Sequence, residues 1–218
     1  MIITWLGHSY FKIESRGKII AIDPYSESST GFKPPRFKAG ILLISHQHED
    51  HNNKKAILGE PFILEGPGEI EIGGIFIEGL LSFHDKKRGK ARGLNTIYLI
   101  NSEDINIAFL GDLGESHLKD ETLEKINNPD ILLIPVGGRY TIDAEEAVFL
   151  INQIEPKIVI PMHYSLQGLK IKLDPVEKFV KALGKKPEIL DKLTIRKNQL
   201  PENTNLIILR PQIRLNKK

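Results

Sequence analysis

The chain contains no cysteine. Disulfides, thiolate zinc sites and cysteine nucleophiles are therefore excluded together. It also lacks any long apolar run, so no segment reads as a membrane-spanning helix. Residues 1–6, MIITWL, are apolar but too short for an export signal. The location expected from these absences is the cytoplasm. Charge of one sign is missing as well. Thirty Lys and Arg against 28 Asp and Glu leave a net charge of +2, so the molecule is no polycation and a general nucleic-acid binder is not indicated. What is present is ordinary for a soluble globular protein: 40% hydrophobic and 27% charged residues. A length of 218 residues suits one domain over 1–218 better than two small ones. Abundant Ile, Lys and Glu without Cys hint at a thermophile.

Against this plain background one stretch stands out, His46-Gln47-His48-Glu49-Asp50-His51, which places three of the seven histidines within six residues. On an α-helix His46 and His48 would lie about 200° apart and splay. At the end of a strand they can point the same way. The apolar run of residues 41–44 just before them reads as a buried strand, so the cluster is its exit loop. Neutral imidazoles bind Zn, Fe or Mn, and an adjacent carboxylate adds charge and tolerates harder metals.

The rest of the chain alternates between strand and helix signals. Residues 2–6, 10–14 and 18–22 read as strands, with a tight turn at Arg16-Gly17. Residues 24–40 form a long Pro/Ser/Gly-rich loop, which is either a lid or mobile surface. A short helix is expected over 53–58, then strands at 62–64, 69–72 and 75–80, a hairpin over 94–100 and 105–110, and a helix over 118–126. Asp143 followed by Glu146 is a capping-box signature, and residues 144–154 continue at helical spacing until Pro156. A strand at 158–160, a helix over 175–183 closed by Gly184, a strand at 206–209 and a frayed basic tail at 210–218 complete the reading. Five apolar runs end in Asp23, His46, Asp112, Gly137-Gly138 and His163. Ligand-binding groups in sheet proteins gather beyond the carboxyl ends of strands, so these five ends are expected to converge. The similar runs ILLIS and ILLIP suggest two related halves.

The H-x-H-x-D-H pattern resembles the metallo-β-lactamase superfamily. Leu6-Gly7-His8-Ser9, Ile22-Asp23-Pro24 and Ile134-Pro135-Val136-Gly137-Gly138 look like its ascorbate-6-phosphate lactonase-like branch. The resemblance covers roughly residues 1–165. It implies an α/β fold, an αββα four-layer sandwich of two mixed β-sheets flanked by helices, with the site along one edge. It further implies His84, Asp112 and His163 as the remaining metal ligands. His46, His48 and His84 would hold a first metal, Asp50, His51 and His163 a second, and Asp112 would bridge them. Seven donors exceed the four of one tetrahedral zinc and suit two divalent ions, zinc first, with manganese or iron as alternatives. A bridging hydroxide would be the nucleophile, oriented by Asp50. His8 could hydrogen-bond a ligand, protonate a leaving group or pack beside Trp5, and Asp23 would buttress the site from behind. His117 and Glu69 have no assigned role.

The expected function is metal-dependent hydrolysis of a small lactone, ester or phosphodiester. A nuclease, or a metal-binding protein without turnover, are the alternatives. The run of five cations between Lys86 and Arg92, together with Arg139 and the backbone N–H groups of 137–140, suggests an anionic substrate. Neither a membrane nor a nucleic acid is expected as a partner, and a homo-oligomer is left open.

Overall fold

A computed structural model describes residues 1–213, so the end of the expected basic tail, 214–218, lies outside the described residues. Two mixed sheets face each other. The first has six strands in the order Leu193–Thr194, Ile2–Trp5, Phe11–Ser15, Lys18–Ile22, Ile41–Ile44 and Phe62–Glu65. Its hairpin between Phe11–Ser15 and Lys18–Ile22 turns at Arg16 and Gly17, both at positive φ (48° and 69°). That is the two-residue turn whose twist matches its strands. The second sheet has eight strands. Gly68–Glu71, Phe76–Phe83, Leu94–Ser102 and Ile105–Phe109 run antiparallel in succession. Ile131–Pro135, Ile158–Met162, Asn205–Leu209 and Glu188–Leu190 then follow in parallel. This is the α/β metallo-β-lactamase architecture expected above.

The continuous apolar run at Ile41–Ile44 is explained by burial on both sides. Ile41 and Leu43 belong to the core between the sheets with Trp5, Phe11 and Tyr98. Leu42 and Ile44 pack outward with Leu6, Tyr25 and Phe32. On the far side of the eight-stranded sheet, the helix Ala144–Ile154 presents Ala147, Leu150, Ile151 and Ile154 to the core. Its capping box forms as expected: Asp143 accepts from the Glu146 N–H at 3.0 Å, and Glu146 accepts from the Asp143 N–H at 3.1 Å. The helix Val176–Leu183 packs beside it and ends at left-handed Gly184.

Some expectations change. Part of residues 24–40 packs on the outer face of the six-stranded sheet. Tyr25 and Phe32 are buried, Tyr25 donates to the Leu6 carbonyl at 2.9 Å and Tyr10 donates to the Pro35 carbonyl at 3.2 Å. The segment includes a four-residue helix, Glu27–Thr30. Residues 53–58 form a 3-10 turn, Lys54–Ala56, and then a two-residue strand, Ile57–Leu58, paired with Phe37–Lys38. The strands Glu188–Leu190 and Leu193–Thr194 carry no apolar pattern long enough to announce them; their pairing partners define them. The two similar runs lie in different sheets, each between parallel neighbours. No helix among the described residues is long and apolar enough to cross a membrane.

At one end of the sandwich Glu103 clasps the two sheets. It accepts from the Met1 ammonium at 2.8 Å, the Ser15 hydroxyl at 2.6 Å and the Arg16 N–H at 3.1 Å. The ammonium and the Ser15 hydroxyl push its carboxyl down to about 2. A depressed folded-state pKa stabilises the fold above the unfolded carboxylate value of roughly 4.3 and loses that contribution as pH falls toward 2. Glu103→Gln should therefore lower stability at pH 7 by about 1 kcal/mol, after discounting for partial exposure. The wild-type advantage should disappear between about pH 4.5 and 2, as read from urea midpoints across pH.

Candidate metal centre

Four of the five strand ends bring their side chains together in one cluster. Asp23 follows Lys18–Ile22, His46 follows Ile41–Ile44, Asp112 follows Ile105–Phe109, and His163 follows Ile158–Met162. His8 (φ 54°), Asp23 (φ 48°) and His163 (φ 53°) all adopt the left-handed backbone conformation, an uncommon one for non-glycine residues that clusters at functional sites. Two glycines allow close backbone approach behind His84 and His163. A Cβ on Gly114 would lie 2.3 Å from the carbonyl carbon of His84, and one on Gly137 would lie 2.0 Å from the carbonyl oxygen of His163.

The donor atoms form three sets: Asp23, His46 and His51 make one, and two more flank Asp112. His46, His48 and His84 bring their ligating atoms within 4.8 Å of one another, and so do His8, Asp50, His51 and His163. Asp112 lies between these two. Its Oδ2 is 3.0 Å from His163 Nε2, 3.3 Å from His51 Nε2 and 3.5 Å from His84 Nε2. The Asp112 N–H donates to Asn95 Oδ1 at 2.9 Å, and Asn95 donates to the Leu110 carbonyl at 2.9 Å. All seven residues expected as ligands are thus gathered in one place. His8 joins them, with Nε2 at 3.0 Å from Asp50 Oδ2.

Asp23 sets the direction of two rings. It accepts from the Ser45 N–H at 2.7 Å and the Ser45 hydroxyl at 2.5 Å, and from His51 Nδ1 at 2.9 Å. The hydroxyl has spent its one proton on Asp23, so the 2.9 Å contact with His46 Nδ1 requires that nitrogen to donate. Both His46 and His51 then carry the proton on Nδ1 and turn an Nε2 lone pair into the cluster. His51 Nε2 and Asp112 Oδ1 are buried without a hydrogen-bond partner. Lone pairs aimed inward, an orphaned buried carboxylate oxygen and outer hydrogen bonds that set the tautomer together fit a cation. Electrostatics agree. Burial pushes His84 down to about 4, despite the attraction of Asp112. Burial, with His163 adding to it, also lowers His8 to about 4. Desolvation opposes ionisation of Asp112, but His163 and His51 outweigh it and hold the carboxyl well below its usual range. A metal requires neutral imidazoles beside ionised carboxylates. His84 and Asp112 are in those states. Desolvation opposes protonation of His51, but Asp112 and Asp50 hold it well above its usual pKa, so its proton is the one an ion would displace.

The family model for the beta-lactamase superfamily domain matches residues 2–163. The chain belongs to the metallo-β-lactamase superfamily. It is 32% identical over 208 residues to a UPF0173 protein of Pyrococcus furiosus, covering 85% of this chain and 92% of that one. It is 31% identical over 207 residues to a UPF0173 metal-dependent hydrolase of Thermoplasma acidophilum, covering 84% and 90%. A crystal structure of a metallo-β-lactamase superfamily protein from Thermotoga maritima aligns with a TM-score of 0.80 at 32% identity over 95% of this chain and 97% of that one.

As in any sheet protein with its site at strand ends, the cleft of this superfamily member opens above the cluster. It has a volume of about 640 Å³, with Asp50, His84, Asp112 and His163 on its floor and Arg92, Lys170 and Lys172 on its walls. The expected cations reach the cleft only in part. Arg92 reaches the cleft and lies over the Tyr140 ring at 5.2 Å. Lys87 and Arg139 line an adjoining depression instead, and Arg88 lines neither. The reason is local. Asp85 accepts from the N–H groups of Lys87, Gly89, Ala91 and Arg92 at 2.7–3.1 Å and winds the basic run around itself. Desolvation resists its ionisation, yet these N–H groups hold its carboxyl below the usual range. At the expected anion site, 137–140, two of the four N–H groups are already engaged. Gly138 N–H donates to Ile142, Tyr140 and Thr141 donate to Gly138, and Asp143 caps the following helix. Lys170 and Lys172 carried no motif; their segment is docked by the Lys170 N–H on the Thr30 carbonyl at 2.9 Å. His117 is exposed against Phe149, and Glu69 is exposed on the strand Gly68–Glu71, both away from the cluster.

Asp23→Asn keeps the shape but replaces an acceptor oxygen with a donor. It should weaken metal binding by about 10–100-fold, measured by competition with a chromophoric chelator, while the far-UV spectrum is unchanged.

Proposed function

We propose that this chain is a metal-dependent hydrolase of a small anionic lactone, ester or phosphodiester. His46, His48 and His84 would hold one divalent ion, Asp50, His51 and His163 a second, and Asp112 would stand between them. The observation that carries the reading is the convergence of two donor sets on either side of the Asp112 carboxylate. The superfamily relatives named metal-dependent hydrolases support its coarser part. Zinc is the leading candidate, with manganese or iron as alternatives. Bound there, two such ions supply Lewis acidity and bring the pKa of a water toward neutrality.

The chain's own residues supply orientation and charge. Asp50 Oδ2 faces His8 Nε2 at 3.0 Å and His51 Nε2 at 3.5 Å. A neutral His8 donates from Nε2 to Asp50, so it steadies that carboxylate rather than protonating a leaving group. Asp50 in turn has one edge at the cleft, where it can accept a hydrogen bond from a water and orient that water toward an electrophile. Arg92, Lys170 and Lys172 offer a carboxylate or phosphate three cations at the cleft wall. A phosphorylated sugar lactone, the substrate type of the branch the motifs resemble, is the finest version of this reading. The cytoplasm is its proposed location.

Elemental analysis of protein purified without added metal should find two metals per chain, falling to one or none in Asp112→Ala. Asp50→Ala should abolish turnover of every active substrate in a lactone, ester and phosphodiester panel while unfolding stays cooperative. Three metal-free but active preparations in succession would end the proposal. The triple variant Arg92→Gln, Lys170→Gln, Lys172→Gln should raise KM for anionic substrates by about 10-fold or more and that of neutral esters far less. Equal changes in both would remove the case for an anionic substrate.

A further inference from the structure

A second cavity, of about 380 Å³, adjoins the metal centre on the side of His46 and His48. The two cavities share His48 and Arg92, so they meet at the edge of the cluster. Their walls differ in kind. The cleft carries Lys170 and Lys172, whereas the second cavity is walled by Pro67, Leu81, Leu94 and the backbone of Gly66 and Gly93.

The apolar wall arises from the way the sheets overlap. Leu81 pairs directly with Thr96, and Leu94 lies two residues before Thr96, so all three share one face of the eight-stranded sheet. Tyr98, two residues further along, is on that face too. Its hydroxyl, with one proton to give, lies 2.8 Å from the Ile44 carbonyl and 2.9 Å from the Leu64 carbonyl in the six-stranded sheet, so the face looks inward. Inward-facing leucines in a sandwich are ordinarily covered. Here the facing sheet ends at Ile44 and Glu65, and Leu81 and Leu94 remain 48% and 56% exposed. The overhang is a slot, closed on one side by Glu65, Gly66 and Pro67 and open at His48.

We propose that this slot is a second substrate subsite that takes the apolar substituent of a molecule whose anionic group is held by Arg92, Lys170 and Lys172. The scissile group would then span His48, where the two cavities join. The inference rests on the anionic-substrate reading above and narrows it to amphiphilic molecules with an aliphatic or aryl group of a size that about 380 Å³ accommodates. Continuity with the metal centre through His48 and Arg92 favours a substrate part over a protein partner as the occupant.

The test uses the metal-loaded full chain and straight-chain carboxylates, with binding read by calorimetry. Butanoate and octanoate share a head group and differ by four methylenes, so a slot that accepts the chain should make octanoate bind at least about tenfold tighter. Leu81→Thr with Leu94→Thr should abolish that difference and leave butanoate binding unchanged. Both positions are largely exposed strand sites, so the variant keeps the fold. Equal affinities in the wild type, or a chain-length effect that survives the double substitution, would overturn the proposal. So would a wild-type dimer, in sedimentation, that these substitutions dissociate, because the leucines would then belong to a subunit contact. Chain-dependent binding in a protein that turns over no lactone, ester or phosphodiester would uphold the slot and reject the hydrolytic reading. Turnover of short and long substrates at equal kcat/KM would do the reverse.

Discussion

A carboxylate enclosed by protein demands positive charge, and Asp112 is such a group. It is 2% exposed, its Oδ1 has no hydrogen-bond partner, and its Oδ2 faces three imidazole nitrogens. Burying an ion of this kind costs several kcal/mol unless it is paired. With protein groups alone, desolvation opposes protonation of His51, but Asp112 and Asp50 overcome it and hold the ring well above its usual pKa. One proton is a poor substitute for the charge the cluster can accommodate. The surrounding imidazoles repel further protons because they lie against one another, with ring centroids 4.2 Å apart for His46 and His51 and 4.4 Å for His8 and His163. A divalent cation relieves the same deficit without placing protons on adjacent rings.

The rest of the fold keeps that carboxylate and its neighbours where they are. Parallel strands deliver their last residues to a common edge, and the left-handed residues turn the chain sharply there. The Asp23 carboxylate ties the end of one strand to the exit loop of the next through Ser45 and His51. Asn95 does the corresponding work on the other sheet, bonding Ser82, Leu110 and Asp112. Rigid supports behind the ligands matter because a metal site tolerates only small errors in donor position. The cleft walls follow a different rule. They come from loops whose own hydrogen bonds, around Asp85 and on Thr30, decide which of many surface cations face inward.

Several features were legible in the sequence because they depend on local order alone. The buried run at residues 41–44 followed by His46, His48, Asp50 and His51 defines a strand end carrying metal-type donors whatever surrounds it. The capping box at Asp143 and Glu146, the Arg16-Gly17 turn and the Gly184 stop are likewise decided within a few residues. The resemblance to the superfamily supplied His84, Asp112 and His163, which local pattern could not connect to the first motif.

Other features needed the tertiary structure. Residues 24–40 have loop composition, yet Tyr25 and Phe32 bury themselves because the six-stranded sheet has an apolar outer face to cover. Short strands such as Leu193–Thr194 exist only through their partners. Lys170 and Lys172 stand far in sequence from every ligand except His163 and carry no pattern, whereas Lys87, Arg88 and Arg139 form a conspicuous one and turn aside. Leu94 opens an expected strand and Leu81 falls just past the expected end of another, and their exposure follows from where the facing sheet stops. The sequence by itself determined that His46, His48, Asp50 and His51 follow the end of a strand, since periodicity and cluster spacing are local properties. Which charges and apolar groups meet above those donors was decided only in three dimensions, because a cavity wall is a relation between segments that share no neighbourhood in the chain.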